Sequence, residues 1–223
     1  LPIAWNAFQK DRSVIWKNRW HILFAGLTGV SVFNTLVYIA GHFTSAINLA
    51  LIGTTSSPIF SFILARIFLK EKIPPFRLIG LVVCIAGILL LLSRGSMDVL
   101  FHFKFTEGDW WVLGGAFSFS VYNILARKKP TGISPKSYLL VTFCTGTLLL
   151  FPFFIWEQMH TPNMPWNATL TGIIIYLGAG ASVVSFFCWN AAIAKLGAAR
   201  TALFGNLIPI FSTIEAVLIL GEK

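Results

Sequence analysis

Apolar residues run along this chain in long blocks, and polar positions gather in the short stretches between them. Blocks without strict alternation predict helices that are apolar on every side rather than half-exposed strands. The pattern predicts spans at 20–40, 45–69, 76–93, 109–126, 137–156, 168–194 and 198–220, preceded by the end of another helix at 1–9. Such runs match the length of about 20 residues that crosses a hydrocarbon layer. A transmembrane β-barrel would show alternating short segments instead. The expected fold class is an all-α polytopic membrane protein.

Composition agrees with the pattern. Hydrophobic residues make up 56% of the chain and charged residues 11%, against about 25% charged in soluble domains; the mean hydropathy is +0.78. The net charge of +9 does not point to nucleic acid, because the basic residues sit at the ends of apolar runs, where topology and anionic lipid account for them. Lys10, Arg12, Lys17 and Arg19 precede the first whole span, and the next connection carries no Lys or Arg. Lys70, Lys72 and Arg77 follow, then a mixed stretch at 94–108. After that come Arg127, Lys128, Lys129 and Lys136, an acidic connection with Glu157, and finally Lys195 and Arg200. This alternation predicts that the basic connections are cytoplasmic. Trp16 and Trp20 at an inner end, and Trp110, Trp111, Trp156 and Trp166 at outer ends, fit an interfacial belt. Asn167-Ala168-Thr169 matches a glycosylation sequon, which carries no meaning in a bacterial protein. Cys84, Cys144 and Cys188 lie inside spans without paired spacing or nearby histidines and read as packing residues. The chain opens on LPIAWNAFQK with no Met, which reads as a fragment beginning near the end of a span.

The chain also repeats itself. A shift of 151 residues lays TSSPIFSFILARIFLKEK (55–72) on NLIPIFSTIEAVLILGEK (206–223), with nine of the 18 positions identical. Upstream, Ile22, Gly29, Ser31, Val32 and Ala40 meet Ile173, Gly180, Ser182, Val183 and Ala191, and Tyr38 meets Trp189. Equivalent helices are five spans apart, so the second copy is predicted upside down relative to the first. Inverted repeats that meet at the bilayer midplane are characteristic of secondary transporters.

The phrases SSPIFSFILARIFLKEK, RLIGLVVCIAGILLLL, GDWWVLGGAFSFSVYNILARK and FCWNAAIAKLGAARTALFGNLIPIFSTIEAVLILGEK resemble the EamA type of the drug/metabolite transporter superfamily. The resemblance implies two inverted five-helix repeats, ten spans in the whole protein. The first repeat would occupy 1–93, without span 1 and most of span 2. The second would occupy 109–223, without span 10, and 94–108 would be an external connection. The resemblance also implies export of small metabolites, amino acids or drugs across a bacterial inner membrane. It names no cargo.

A polar group left unpaired in hydrocarbon costs several kcal/mol, so polar stripes along the spans mark candidate positions. Ser31, Asn34 and Tyr38 form one stripe, and Ser182, Ser185 and Trp189 are their repeat mates. Asn48 and Thr55 share a face, as do Asn206 and Thr213. Ser120 pairs with Asn123, and Ser118 with Tyr122. A central cavity lined by Asn34, Tyr38, Asn48, Thr55, Ser120, Tyr122, Asn123, Ser185, Trp189 and Asn206 is the functional reading. Helix packing is the competing one, and for the serines it is the better of the two. Tyr38 and Trp189 are expected to narrow opposite mouths. Gly80, Cys84 and Gly87 are expected to form a packing face. Pro58 and Pro209, in matched positions, are expected to kink their helices. Glu215, an acid well inside a span, is a candidate for proton coupling, because burial raises a carboxyl pKa. Its repeat mate is Leu64.

No hydrolase, Walker or zinc-site motif appears. A secondary-type carrier without catalytic residues, metal or cofactor is therefore expected, with a small-molecule substrate, membrane lipids as partners and no nucleic acid. A non-transporting scaffold or receptor is the alternative. A membrane-embedded lipid-modifying enzyme is a further one, weakened by the scatter of His21, His42, His102 and His160 over both sides.

Overall fold

The computed structural model describes residues 2–44, 46–71, 74–92, 98, 106–160, 166–208 and 211. Its secondary structure is helical throughout: α1 (Pro2–Lys17), α2 (Arg19–Gly26), a π-helical segment (Leu27–Val32), α3 (Phe33–Ala40), α4 (Ala46–Phe68), α5 (Pro75–Leu92), α6 (Glu107–Arg127), α7 (Pro135–His160), α8 (Ala168–Ile175), a second π-helical segment (Tyr176–Val184), α9 (Ser185–Leu196), α10 (Ala198–Leu203) and a 3-10 turn (Phe204–Leu207). The continuous runs Arg19–Ala40, Pro135–His160 and Ala168–Leu196 are long and apolar enough to cross a membrane.

The helix ends follow local chemistry. Asn167 of the sequon is the N-cap of α8, its side chain accepting from the Leu170 N–H at 2.7 Å. Ser134 precedes Pro135 at the start of α7, and the Ser137 N–H donates to the Ser134 hydroxyl at 3.3 Å. That is a serine cap followed by a proline whose absent N–H costs nothing there. After α4, Lys70 takes φ 53° and the Glu71 N–H donates to the Ala65 carbonyl at 3.3 Å, the geometry of a left-handed helix stop. The repeat mate of Lys70 is Gly221, the residue type that adopts this conformation at least cost.

The chain divides into two compact units, one of Leu1–Ser31 with Leu125–Leu196, the other of Val32–Ile124 with Gly197–Lys223. In the first, α2 lies against α7 at glycine contact. A Cβ on Gly146 would sit 2.5 Å from Val30 Cβ, and one on Gly26 would sit 3.0 Å from the Gly146 nitrogen. Ser31 adds a hydroxyl bond to the Gly146 carbonyl at 2.9 Å, so a small-residue approach is locked by a polar one. In the second unit, Phe62, Leu64, Ala65, Leu81, Ile124, Ala198 and Ala199 form a buried cluster, and Ala40, Ile52 and Val112 form another. α4 runs helically through Pro58, whose side chain is fully buried.

One packing expectation is corrected. No described atom lies within 4 Å of a Cβ placed on Gly80 or Gly87, so that face of α5 is open rather than packed, and the Cys84 side chain lies outside the described residues. The small side chains there read from sequence as a contact surface, but Leu81, on another side of α5, is the residue that enters the buried cluster.

Candidate functional site

Polar side chains of α4 and α6 meet in a buried ladder. The Asn123 amide donates to Ser61 Oγ at 3.4 Å, Ser61 Oγ bonds Ser120 Oγ at 3.2 Å, and Ser120 Oγ also reaches the Ser57 carbonyl at 3.1 Å. Ser61, Ser120 and Asn123 are fully buried. Small hydroxyls let the two helices approach, and mutual bonding removes the penalty of unpaired groups in an apolar surrounding. Tyr122 is fully buried beside them, its ring 5.7 Å from Phe119. Of this ladder, sequence reading proposed Ser120 and Asn123 but missed Ser61. Its place in the repeated Pro-Ile-Phe-Ser phrase was the available signal.

The remaining candidates are distributed as follows. Asn34 and Thr55 are half-buried and Tyr38 is 67% exposed, all in the second unit. Ser185 is exposed and Trp189 half-buried, both in the first unit. The helical positions of Asn48 and Asn206 are described, but their side chains are not. Pro209 and Glu215 lie outside the described residues.

The spans expected at 20–40 and 168–194 are helical, and each contains a π-helical segment. The 151-residue shift places Leu27–Val32 on residues 178–183, inside Tyr176–Val184, so the two widened turns occupy equivalent positions. Hydroxyl bonding shifts after the start of the widening, since Thr28, in the first turn of its segment, still reaches four residues back. Thr28, Ser120, Thr171 and Thr201 each reach the carbonyl four residues back. Ser31 and Ser185 instead reach back five, to Gly26 at 3.5 Å and Gly180 at 3.1 Å. π-turns inside α-helices are rare and gather at functional sites. Glycines beside β-branched residues, in LTGVSV and YLGAGASVV, weaken the α-helical alternative.

The connections pair in a definite way. Thr44 donates to Asp109 Oδ1 at 2.9 Å, and the Thr106 N–H donates to Oδ2 at 2.8 Å. The 41–44 connection, which carries no Lys or Arg, and the end of the mixed 94–108 stretch are thereby joined through a fully buried carboxylate. Thr106 and Asp109 form a capping box at the start of α6, legible in the sequence as Thr-x-x-Asp but not singled out. The basic connections pair with one another. The Asp11 carboxylate accepts from the Ser134 N–H at 2.8 Å, Arg127 donates to the Ala194 carbonyl at 2.6 Å, and Glu71 Oε1 lies 3.1 Å from where a Cβ on Gly197 would be.

The backbone bond from Ser134 holds the Asp11 carboxyl below its ordinary 3.8, with the nearby Lys129 ammonium acting in the same direction. Burial pulls Lys129 itself down, opposed by Asp11. A depressed carboxyl contributes stability above its unfolded pKa and loses it as pH falls through the folded value. Asp11→Asn should therefore lower the melting temperature at pH 6, with the gap to wild type closing toward pH 3. A gap that is constant with pH would rule out the ionised clasp.

Together these features define an all-helical, polytopic membrane protein. The family model described as the EamA-like transporter family matches residues 1–93 and 106–223. The chain belongs to that family, whose members are transporters and not enzymes. It is 29% identical to the uncharacterized transporter YyaM of Bacillus subtilis over 91% of this chain and 66% of that protein. It is 25% identical to an uncharacterized transporter of Archaeoglobus fulgidus over 100% of this chain and 76% of that one. It is 28% identical to a probable terminal-alkyne amino-acid exporter of Streptantibioticus cattleyicolor over 90% and 65%. The chain thus spans just under two thirds of the length of the Bacillus and Streptantibioticus relatives.

Proposed function

We propose that the protein is a secondary carrier that moves small metabolites, amino acids or similar compounds, across a bacterial inner membrane by alternating access. Its direction in this reading is export, with the basic connections cytoplasmic. The observation that carries the reading is the 151-residue repeat, in which both copies hold a π-helical turn at the same place. Two inverted five-helix repeats, 1–93 and 109–223 with 94–108 outside, would then flex at matched points, and rocking of such halves opens a central site to one side at a time. Among the described residues, basic connections pair with basic ones, and the Lys- and Arg-free 41–44 connection pairs with the end of the mixed 94–108 stretch, which supports the alternating topology. The Streptantibioticus relative's name supports an amino-acid-like cargo.

In this reading Asn34, Asn48, Thr55, Ser120, Tyr122, Asn123, Ser185 and Asn206 are the cavity candidates. Tyr38 and Trp189 stand at opposite mouths, and Pro58 and Pro209 kink the paired helices. Glu215 couples a proton. The full chain in proteoliposomes should take up an amino acid from a panel faster under a pH gradient, and Glu215→Gln should abolish the gradient's effect. Equal gradient dependence in both proteins would remove Glu215 from coupling. No uptake of any panel member would count against the amino-acid class.

A further inference from the structure

α1 is divided along its length. Ala7, Asp11, Val14 and Asn18, spaced three or four apart, are turned partly inward, while Trp5, Gln9, Lys10, Arg12, Ser13, Trp16 and Lys17 are exposed. Gln9, Lys10, Arg12, Ser13 and Trp16 line an open groove of about 540 Å³. Just beyond it, the Arg19 guanidinium lies 5.7 Å from the Trp16 ring centre. Asp11 is the single acid in residues 1–40, and it is turned away, bonded to the Ser134 N–H at the start of α7. The outward face therefore presents Lys10, Arg12, Lys17 and Arg19 with no carboxylate among them. It also ends at the membrane boundary, because the span-length run Arg19–Ala40 follows directly and Trp16 and Trp20 are 71% and 64% exposed.

We propose that this face of α1 is a docking site for the headgroup of an anionic phospholipid of the phosphatidylglycerol type. Lys10 and Arg12 hold the phosphate, Gln9 and Ser13 bond the glycerol hydroxyls, and Trp16 lies against the glycerol and upper acyl carbons. The chemistry fits on three counts. Lys and Arg bind phosphate by charge-assisted bonds. An exposed Trp prefers the headgroup depth of a bilayer. Basic clusters beside a span draw anionic lipid. Retraction of Asp11 matters because a carboxylate on the same face would repel the phosphate. The site depends on the chain being in a membrane and not on the transport reading, so either can fail alone.

The test is a titration of the full chain, in neutral detergent, with short-chain phosphatidylglycerol, phosphatidylcholine or inorganic phosphate, followed by thermal unfolding. Phosphatidylglycerol should raise the melting temperature saturably, and the other two should not. Lys10→Gln/Arg12→Gln should raise the half-saturating concentration about tenfold or more, and Arg12→Gln alone about threefold. Lys128→Gln, an exposed basic residue elsewhere, should leave it unchanged. Equal half-saturation in wild type and Lys10→Gln/Arg12→Gln would overturn the proposal. An equal effect of phosphatidylcholine would also overturn it, as would one of inorganic phosphate, which would mean a free-anion site.

Discussion

Gly146→Leu should leave no folded protein in detergent, and Gly146→Ala should cost about 1–3 kcal/mol of stability, the usual range for overpacking a tight core. The alanine Cβ would fall 2.5 Å from Val30 Cβ and 3.0 Å from the Gly26 carbonyl oxygen. Neither neighbour is the far end of a flexible side chain, so α2 and α7 must separate. Separation stretches the 2.9 Å bond from Ser31 to the Gly146 carbonyl, and the loss compounds. Gly172→Ala is the matched control, since no described atom lies within 4 Å of a Cβ there. It should be neutral or mildly stabilising, because alanine favours helix over glycine by about 1 kcal/mol. Thermal melts of the three proteins decide the matter. Gly146→Ala melting together with Gly172→Ala would contradict the glycine contact.

Asp109→Ala should cost about 2 kcal/mol or more, combining a lost helix cap with partners left unpaired. The carboxylate is fully buried, yet it serves the Thr44 hydroxyl and the Thr106 N–H at once. The fit around it is close. A Cβ on Gly108 would meet Thr44 Cβ at 2.8 Å, so the 41–44 connection rests on the start of α6 and cannot retreat to admit water without moving. Asp109→Asn retains one acceptor and should cost less. In a double-mutant cycle, Thr44→Val and Asp109→Ala should couple by about 1 kcal/mol. Strict additivity would mean that the two connections are held together by something else.

Much of the fold was legible because its signals are local. A helix passing through hydrocarbon must be apolar all round and must bond its own backbone, so the first six predicted spans have matching described helices, with ends shifted by a few residues, while the described part of the seventh holds only α10 and a 3-10 turn. The last of them is described only as far as 208 and at 211. The repeat was legible for a related reason, since two copies of one phrase need no tertiary information to be compared. The site was less legible. Ser61 looked like one more small residue in an apolar run, and only its place opposite Ser120 and Asn123 reveals the ladder. Asp109 was not singled out in the sequence. Its burial depends on Thr44, 65 positions away.

The sequence by itself determined the class, the span positions, the charge alternation and the internal repeat, because each rests on composition or on spacing along the chain. Only the tertiary structure decided which helix faces meet. It placed glycine contact at Gly26 and Gly146 and left Gly80 and Gly87 open, although the two pairs look equally small on paper. It turned Asp11 inward and its basic neighbours outward. It also widened both Gly- and Ser-bearing spans into π-turns at matched places, an outcome that hangs on a few hydrogen bonds moving from the fourth to the fifth residue. Packing of distant segments selects among such near-equal local alternatives, and no window of sequence contains that choice.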